Sequence, residues 1–157
     1  MIDRKIKIVE TLEAKLKEIR RANGYDLNMT VYEGCDWLTT DQIDKAELPA
    51  SLVSAEGLEN YTPEGNVPHT AMVDIPVYIW METSEVRGEN RTTAREMVNT
   101  VKTALKCCDI QMELNRLGYA KNFYLKNIIT YTGWAEGLVM LVFLYKAEYS
   151  EEDEWLI

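Results

Sequence analysis

Few residues of this 157-residue chain have the type and spacing for bond-making chemistry. His69 is the only histidine, and it follows Pro68 with no cysteine pair beside it. A tetrahedral zinc site draws its ligands from closely spaced Cys and His, and that spacing is not here. Cys35, Cys107 and Cys108 include no C-x-x-C pair. An odd count without that spacing reads as free thiols, and Cys107-Cys108, near a helix end, are expected in the core or half-buried. Any Ser-His-Asp triad would need His69 as its base, and no G-x-S-x-G elbow accompanies it. Neither G-x-x-x-x-G-K-[ST] nor G-x-G-x-x-G occurs, so the sequence offers no glycine cradle for a phosphate. Asp74 and Glu82, on one alternating stretch, come nearest to a hydrolytic pattern. Metal-assisted phosphodiester cleavage needs acids gathered on a metal, usually with a lysine close by. Here Thr83 and Ser84 follow Glu82 instead, and Asp74 reads as a solvated strand residue. A small metal-dependent nuclease is therefore the enzymatic alternative. The leading expectation is a protein with no catalytic residue, no cofactor and no metal.

The elements that would hold these residues are clearer. Ile2, Ile6, Val9, Leu12, Leu16 and Ile19 recur every three or four positions, which is one face of a helix. Asp3 suits its N-cap, and Asn23-Gly24 supplies residues that can end it in a left-handed conformation. Leu27, Met29 and Val31 then alternate with polar residues, as in a strand with one buried face. Residues 34–70 have no sustained period and read as a long, irregular, acidic insertion after that first strand, with a short strand at 51–55. Residues 71–82 alternate cleanly: Val73, Ile75, Val77, Ile79 and Met81 share one face, and Trp80 lies on the other. Pro76 cannot donate a ladder bond, so its amide side belongs at an edge or a bulge. Thr93 and Glu96 have capping-box spacing ahead of a helix whose face is Met97, Val98, Val101, Leu105 and Cys108. A second helical piece follows Asp109 and closes at Gly118. Two strands, 123–132 and 137–149, join through Gly133 or Gly137. The last is apolar on both faces and should be a central or doubly covered strand. The order predicts an α+β fold: a mostly antiparallel sheet with helices packed on one face. One domain spans residues 1–149, and 150–157 form an acidic tail with an apolar tip.

Seventeen basic and 26 acidic side chains leave a formal charge of −9, which disfavours bulk binding to nucleic acid. The charge is zoned. Residues 35–90 carry eleven acids and two bases, whereas residues 91–135 carry seven bases and three acids. Such zones can meet one another within a subunit or between copies of the chain. On that reading Lys102 and Lys106 face an acidic neighbour. Trp37 and the tip Trp155, Leu156 and Ile157 are candidate anchors at a subunit or partner interface, since aromatic residues are enriched there. Arg87 and Arg91, in the loop TSEVRGENRT, stand in an otherwise acidic stretch. No apolar run approaches the roughly 20 residues of a membrane span.

The opening IVETLEAKLKEIRRANGYDLNMTVYEG, the stretch LPASLVSAEG, the strand HTAMVDIPVYIWM, the helix TAREMVNTVKTAL and the closing GLVMLVFLYKAEY together resemble the tail terminator, or tail completion, proteins of long-tailed bacteriophages. The resemblance covers nearly the whole chain, as a pattern of elements. It implies a structural protein of the virion, placed at the tail–neck junction after synthesis in the host cytoplasm. Such a protein forms a homo-oligomeric, hexameric ring on the tail tube protein, stops tube polymerisation and meets neck or connector proteins. DNA would pass through its channel without specific binding, and the resemblance makes Arg87 and Arg91 candidates for a lumen or tube-facing loop. Another head-to-tail connector protein of the neck is the alternative within the same class.

Overall fold

Asp3 starts the fold as expected: its side chain accepts a hydrogen bond from the Ile6 amide and caps helix α1, Arg4–Lys17. The computed structural model describes residues 3–33, 47–63, 69–82, 93–135 and 137–150. After α1 come β1 (Thr30–Tyr32), β2 (Ala50–Val53), β3 (Glu59–Pro63), β4 (His69–Glu82), α2 (Ala94–Ala104), α3 (Cys107–Leu117), β5 (Asn122–Ala135) and β6 (Leu138–Ser150). One sheet holds all six strands in the order β1-β2-β4-β6-β5, and β3 pairs with β4 beyond the end of β2. Only β1–β2 is parallel. The fold is α+β, with a mostly antiparallel sheet.

The first helix ends earlier than its punctuation suggests. Glu18 is the C-cap, and the amides of Glu18 and Ile19 reach back to Lys15 and Leu16 in tightened last-turn bonds. Arg20 is extended, residues 21–23 make one 3-10 turn, and Gly24, at φ 93°, closes that turn instead of the helix. Tertiary bonding sets the boundary: the Met29 amide donates to Ile19 O (2.9 Å), and the Arg21 amide donates to Asn28 Oδ1 (2.9 Å). Ile6, expected on the buried face, is exposed, while Lys5 and Arg4 are buried.

Residues 34–70 are not one irregular insertion. Within them β2 and β3 are ladder strands on the same side of β4. Between them residues 54–58 step away from β4, and there sits Pro76. Ser54 N donates to Pro76 O (3.0 Å) and Asp74 N to Leu58 O (2.7 Å), so the even residues of β4 turn their backbone groups to this side. The missing Pro76 N–H thus falls at the step, and the β4–β6 ladder continues unbroken. A Cβ on Gly57 would lie 2.1 Å from Asp74 O, so only glycine fits the close approach.

Helices cover one face. Ile8, Leu12 and Leu16 of α1, Met97 and Val101 of α2, and Ile110 and Leu114 of α3 pack on the odd residues of β4 and β6. Across the sheet, Leu52, Trp80 and Met140 form a second, smaller cluster, with Tyr32, Leu48, Tyr78 and Val142 packed against it. β6 is central, as its two apolar faces required. The Thr93 hydroxyl accepts from the Glu96 amide and caps α2, while Gly118 and Gly137 take positive φ at the end of α3 and at the β5–β6 turn. The expected helix through Cys108 is broken at Leu105–Lys106, whose backbones leave the helical region, so Cys107 and Cys108 open α3. No helix among the described residues is long and apolar enough to cross a membrane.

Candidate functional site

The residues with chemical potential are placed apart or already engaged. Asp74 is not solvated: its carboxylate lies 3.0 Å from Lys146 Nζ, and both side chains are about seven-eighths covered. Pairing on adjacent central strands brings this about, since Asp74 stands opposite Lys146 in the β4–β6 register. Glu82 is exposed eight residues further along β4, about 26 Å away at a strand's rise of 3.3 Å per residue. The two acids cannot share a metal. Among the described residues no group of three His, Cys, Asp or Glu stands close enough to hold one. Cys107 is half-buried, and burial pushes its thiol up. Cys108 is exposed, contrary to the core or half-buried position expected for it, because the break at Leu105–Lys106 rotates it off the buried face. The Tyr145 hydroxyl is buried without a hydrogen-bond partner, and burial raises its pKa further above the ordinary phenol range.

Among the described residues no helix covers the other face of the sheet, and this helix-free face is the more distinctive surface. Tyr78 and Trp80 stack there with ring centres 5.9 Å apart. Trp80 is fully buried in the small cluster, so it serves packing. Towards β5 the cover thins. Tyr124, Ile129 and Tyr131 are 42%, 41% and 44% exposed, and their β6 partners Lys146, Val142 and Met140 lie on the same face. Burial first, and the nearby Tyr131 second, push the Tyr78 hydroxyl up.

β5 ends the sheet. Among the described residues no strand pairs with its outer side. Two irregularities, between Leu125 and Asn127 and between Tyr131 and Ala135, bracket a regular run, residues 127–131. Backbone direction follows from the ladder. Even residues of β4 face β2 and β3, so odd residues of β4 and β6 face each other and even residues of β6 face β5. Asn127, Ile129 and Tyr131, opposite Leu144, Val142 and Met140, therefore bond inward. Ile128 and Thr130 turn their N–H and C=O groups outward. Before the first bulge, the outward Leu125 amide is taken by Cys107 at the start of α3.

Charge marks the two flanks of the sheet differently. Lys102, Lys106 and Lys126 are exposed on the β5 flank, and Lys102 is close enough to act on Cys107. At the opposite flank Glu33 follows β1 and pairs with Lys17, while Glu47 accepts from the Tyr32 hydroxyl (2.6 Å). Glu56 and Glu59 are exposed along the β3 end of that flank, where Lys5 Nζ reaches Gly57 O (3.0 Å) and Glu59 Oε1 (3.1 Å).

Of the residues singled out from sequence, Lys102 and Lys106 stand together on the exposed α2–α3 corner. Trp37, Arg87, Arg91, Trp155, Leu156 and Ile157 lie outside the described residues. Sequence reasoning missed Tyr124, Ile129, Tyr131 and the outward run of β5. The available signal was the stretch FYLKNIITYT, apolar or aromatic on both faces yet next to the chain's last strand. Comparison with known proteins leaves this surface to be read on its own: no protein-family model matches the chain, and no curated protein matches it significantly.

Proposed function

We propose that this chain is a structural subunit of a phage tail, a tail terminator that assembles into a ring on the tail tube, stops its growth and joins it to the neck. The observation that carries the reading is the unlike charge of the two sheet flanks, Lys102, Lys106 and Lys126 on one and Glu47 and Glu56 on the other, where Glu33 is paired with Lys17. A ring needs a head-to-tail interface between two different complementary patches, whereas a twofold dimer uses one patch twice. The whole-chain resemblance of the element pattern to tail terminators supplies the biological setting. The reading assigns the protein to the virion, with the tube and neck proteins as partners, DNA passing without specific contact, and no catalysis.

Native mass measurement and electron microscopy of the purified protein, alone and mixed with tail tubes, test this. Closed rings of about six copies around a hole are expected, and tubes capped by them should not elongate. Lys102→Glu with Lys106→Glu should weaken assembly. Protein that neither closes rings nor caps tubes would overturn the proposal.

A further inference from the structure

We infer that the outer edge of β5, over residues 127–131, is the strand-pairing surface by which one copy of this chain takes up the acidic β1 flank of a second copy, continuing the sheet from subunit to subunit. The inference rests on the ring reading and names the contact that would build it. Unprotected sheet edges invite strand addition, and proteins usually blunt them with bulges, charges or cover. β5 shows both treatments, in different places. At Leu125–Asn127 a bulge carries Lys126, and Cys107 occupies the Leu125 amide. From Asn127 to Tyr131 there is neither bulge nor charged side chain, and the backbone groups of Ile128 and Thr130 point outward. Apolar side chains accompany them: Ile129 and Tyr131 stand exposed on the helix-free face beside that edge.

Charge selects the occupant. Two β5 edges meeting about a twofold axis would bring Lys126 and the Lys102–Lys106 corner of each copy towards like charges, which is destabilising. The far flank of the sheet carries Glu47 beside Tyr32, and Glu33 after β1, whose carboxylate pairs with Lys17 of its own copy. Placed next to β5, it answers the lysines with carboxylates. It also sets Tyr32, on the helix-free face, near the neighbour's Ile129 and Tyr131, a kind of cross-strand pair that stabilises sheets. Repeating this contact head to tail gives a closed ring or an open fibre, and never a finished dimer.

Thr130→Pro removes an outward N–H and leaves the inward ladder groups of Ile129 and Tyr131 in place, while Lys126→Glu reverses an exposed charge without touching the core. Each is expected to raise the protein concentration at half-assembly at least tenfold in native mass measurements, with far-ultraviolet circular dichroism unchanged. Adding Glu47→Lys to Lys126→Glu should recover assembly. If Thr130→Pro perturbs the fold, the charge reversal and its recovery decide alone. Rings that survive both single changes would overturn the β5 assignment while leaving the ring reading standing. Assembly that halts at two copies would show the twofold arrangement and overturn the head-to-tail contact. A wild-type protein that never assembles would remove both.

Discussion

At the scale of single residues, the clearest energetic commitment is the Asp74–Lys146 pair. Both groups are largely covered, so removing one partner leaves a poorly solvated charge. Asp74→Ala should cost ~3 kcal/mol in urea unfolding, whereas Asp74→Leu with Lys146→Met should be close to neutral. Tyr145 presents the reverse case. Its hydroxyl has no partner in the core, so Tyr145→Phe should be neutral or stabilise by up to ~1 kcal/mol. Because burial holds the folded phenol above its ordinary range, the native protein should lose stability above roughly pH 10 more steeply than the Phe variant does. Glu13 behaves alike at lower pH. Burial first, then Glu33, push its carboxyl up; Lys17 opposes them and Glu10 adds to the rise. The folded state thus holds this proton more tightly than the unfolded chain. The associated stability is present below the ordinary carboxylate range and lost as pH rises through the folded pKa. Glu13→Gln should therefore gain on the native protein in thermal melts as pH rises from roughly 4 to 7. Sequence alone made Asp74 a solvated residue, because the partner that covers it comes from a strand 72 positions later and pairing register is not written locally.

At the scale of elements, periodicity revealed most of what was local. Most of the face of α1, the alternation of β4, the Thr93 cap and the Gly118 stop were legible, since each depends on neighbours within a few residues, although Ile6 is exposed and Ile8 is buried in its stead. What depended on distant partners was not. Met29 and Asn28 end the α1 region by bonding to Ile19 and Arg21, and β3 exists because β4 offers it a ladder beyond Pro76. Glu59–Pro63, with Glu59, Asn60, Thr62 and a proline among its five residues, has little strand character of its own. Gly57 is the hinge of that arrangement. Gly57→Ala would drive a methyl group into Asp74 O, and should cost ~3 kcal/mol and separate β3 from β4, seen as faster amide exchange at Asp74. Lys5 ties α1 to the same place, and Glu59→Gln should loosen α1 with little change elsewhere. The exposed edge of β5 was illegible for the same reason: a strand's apolar residues show that it pairs, and its place in the sheet order shows on how many sides.

At the scale of the whole molecule, net charge and local charge point in different directions. A protein at −9 repels its own copies at long range, so assembly through basic and acidic flanks must win at short range. Salt screens both effects, but the short contact is the denser in charge. Raising sodium chloride from roughly 50 to 500 mM should therefore weaken assembly, and sedimentation velocity would record it. Indifference to salt would leave apolar and backbone pairing as the only drive. The β4–β6 ladder adds a mechanical consequence. It runs from Thr70 opposite Ser150 to Glu82 opposite Leu138 without a slip, while β5 is interrupted twice. Tension applied along the two central strands is shared by the entire row of bonds, but β5 can peel from a bulge one bond at a time. A collar built of such subunits would stretch little along its strands and yield first at its seams, so a strained particle would come apart into intact, reusable pieces.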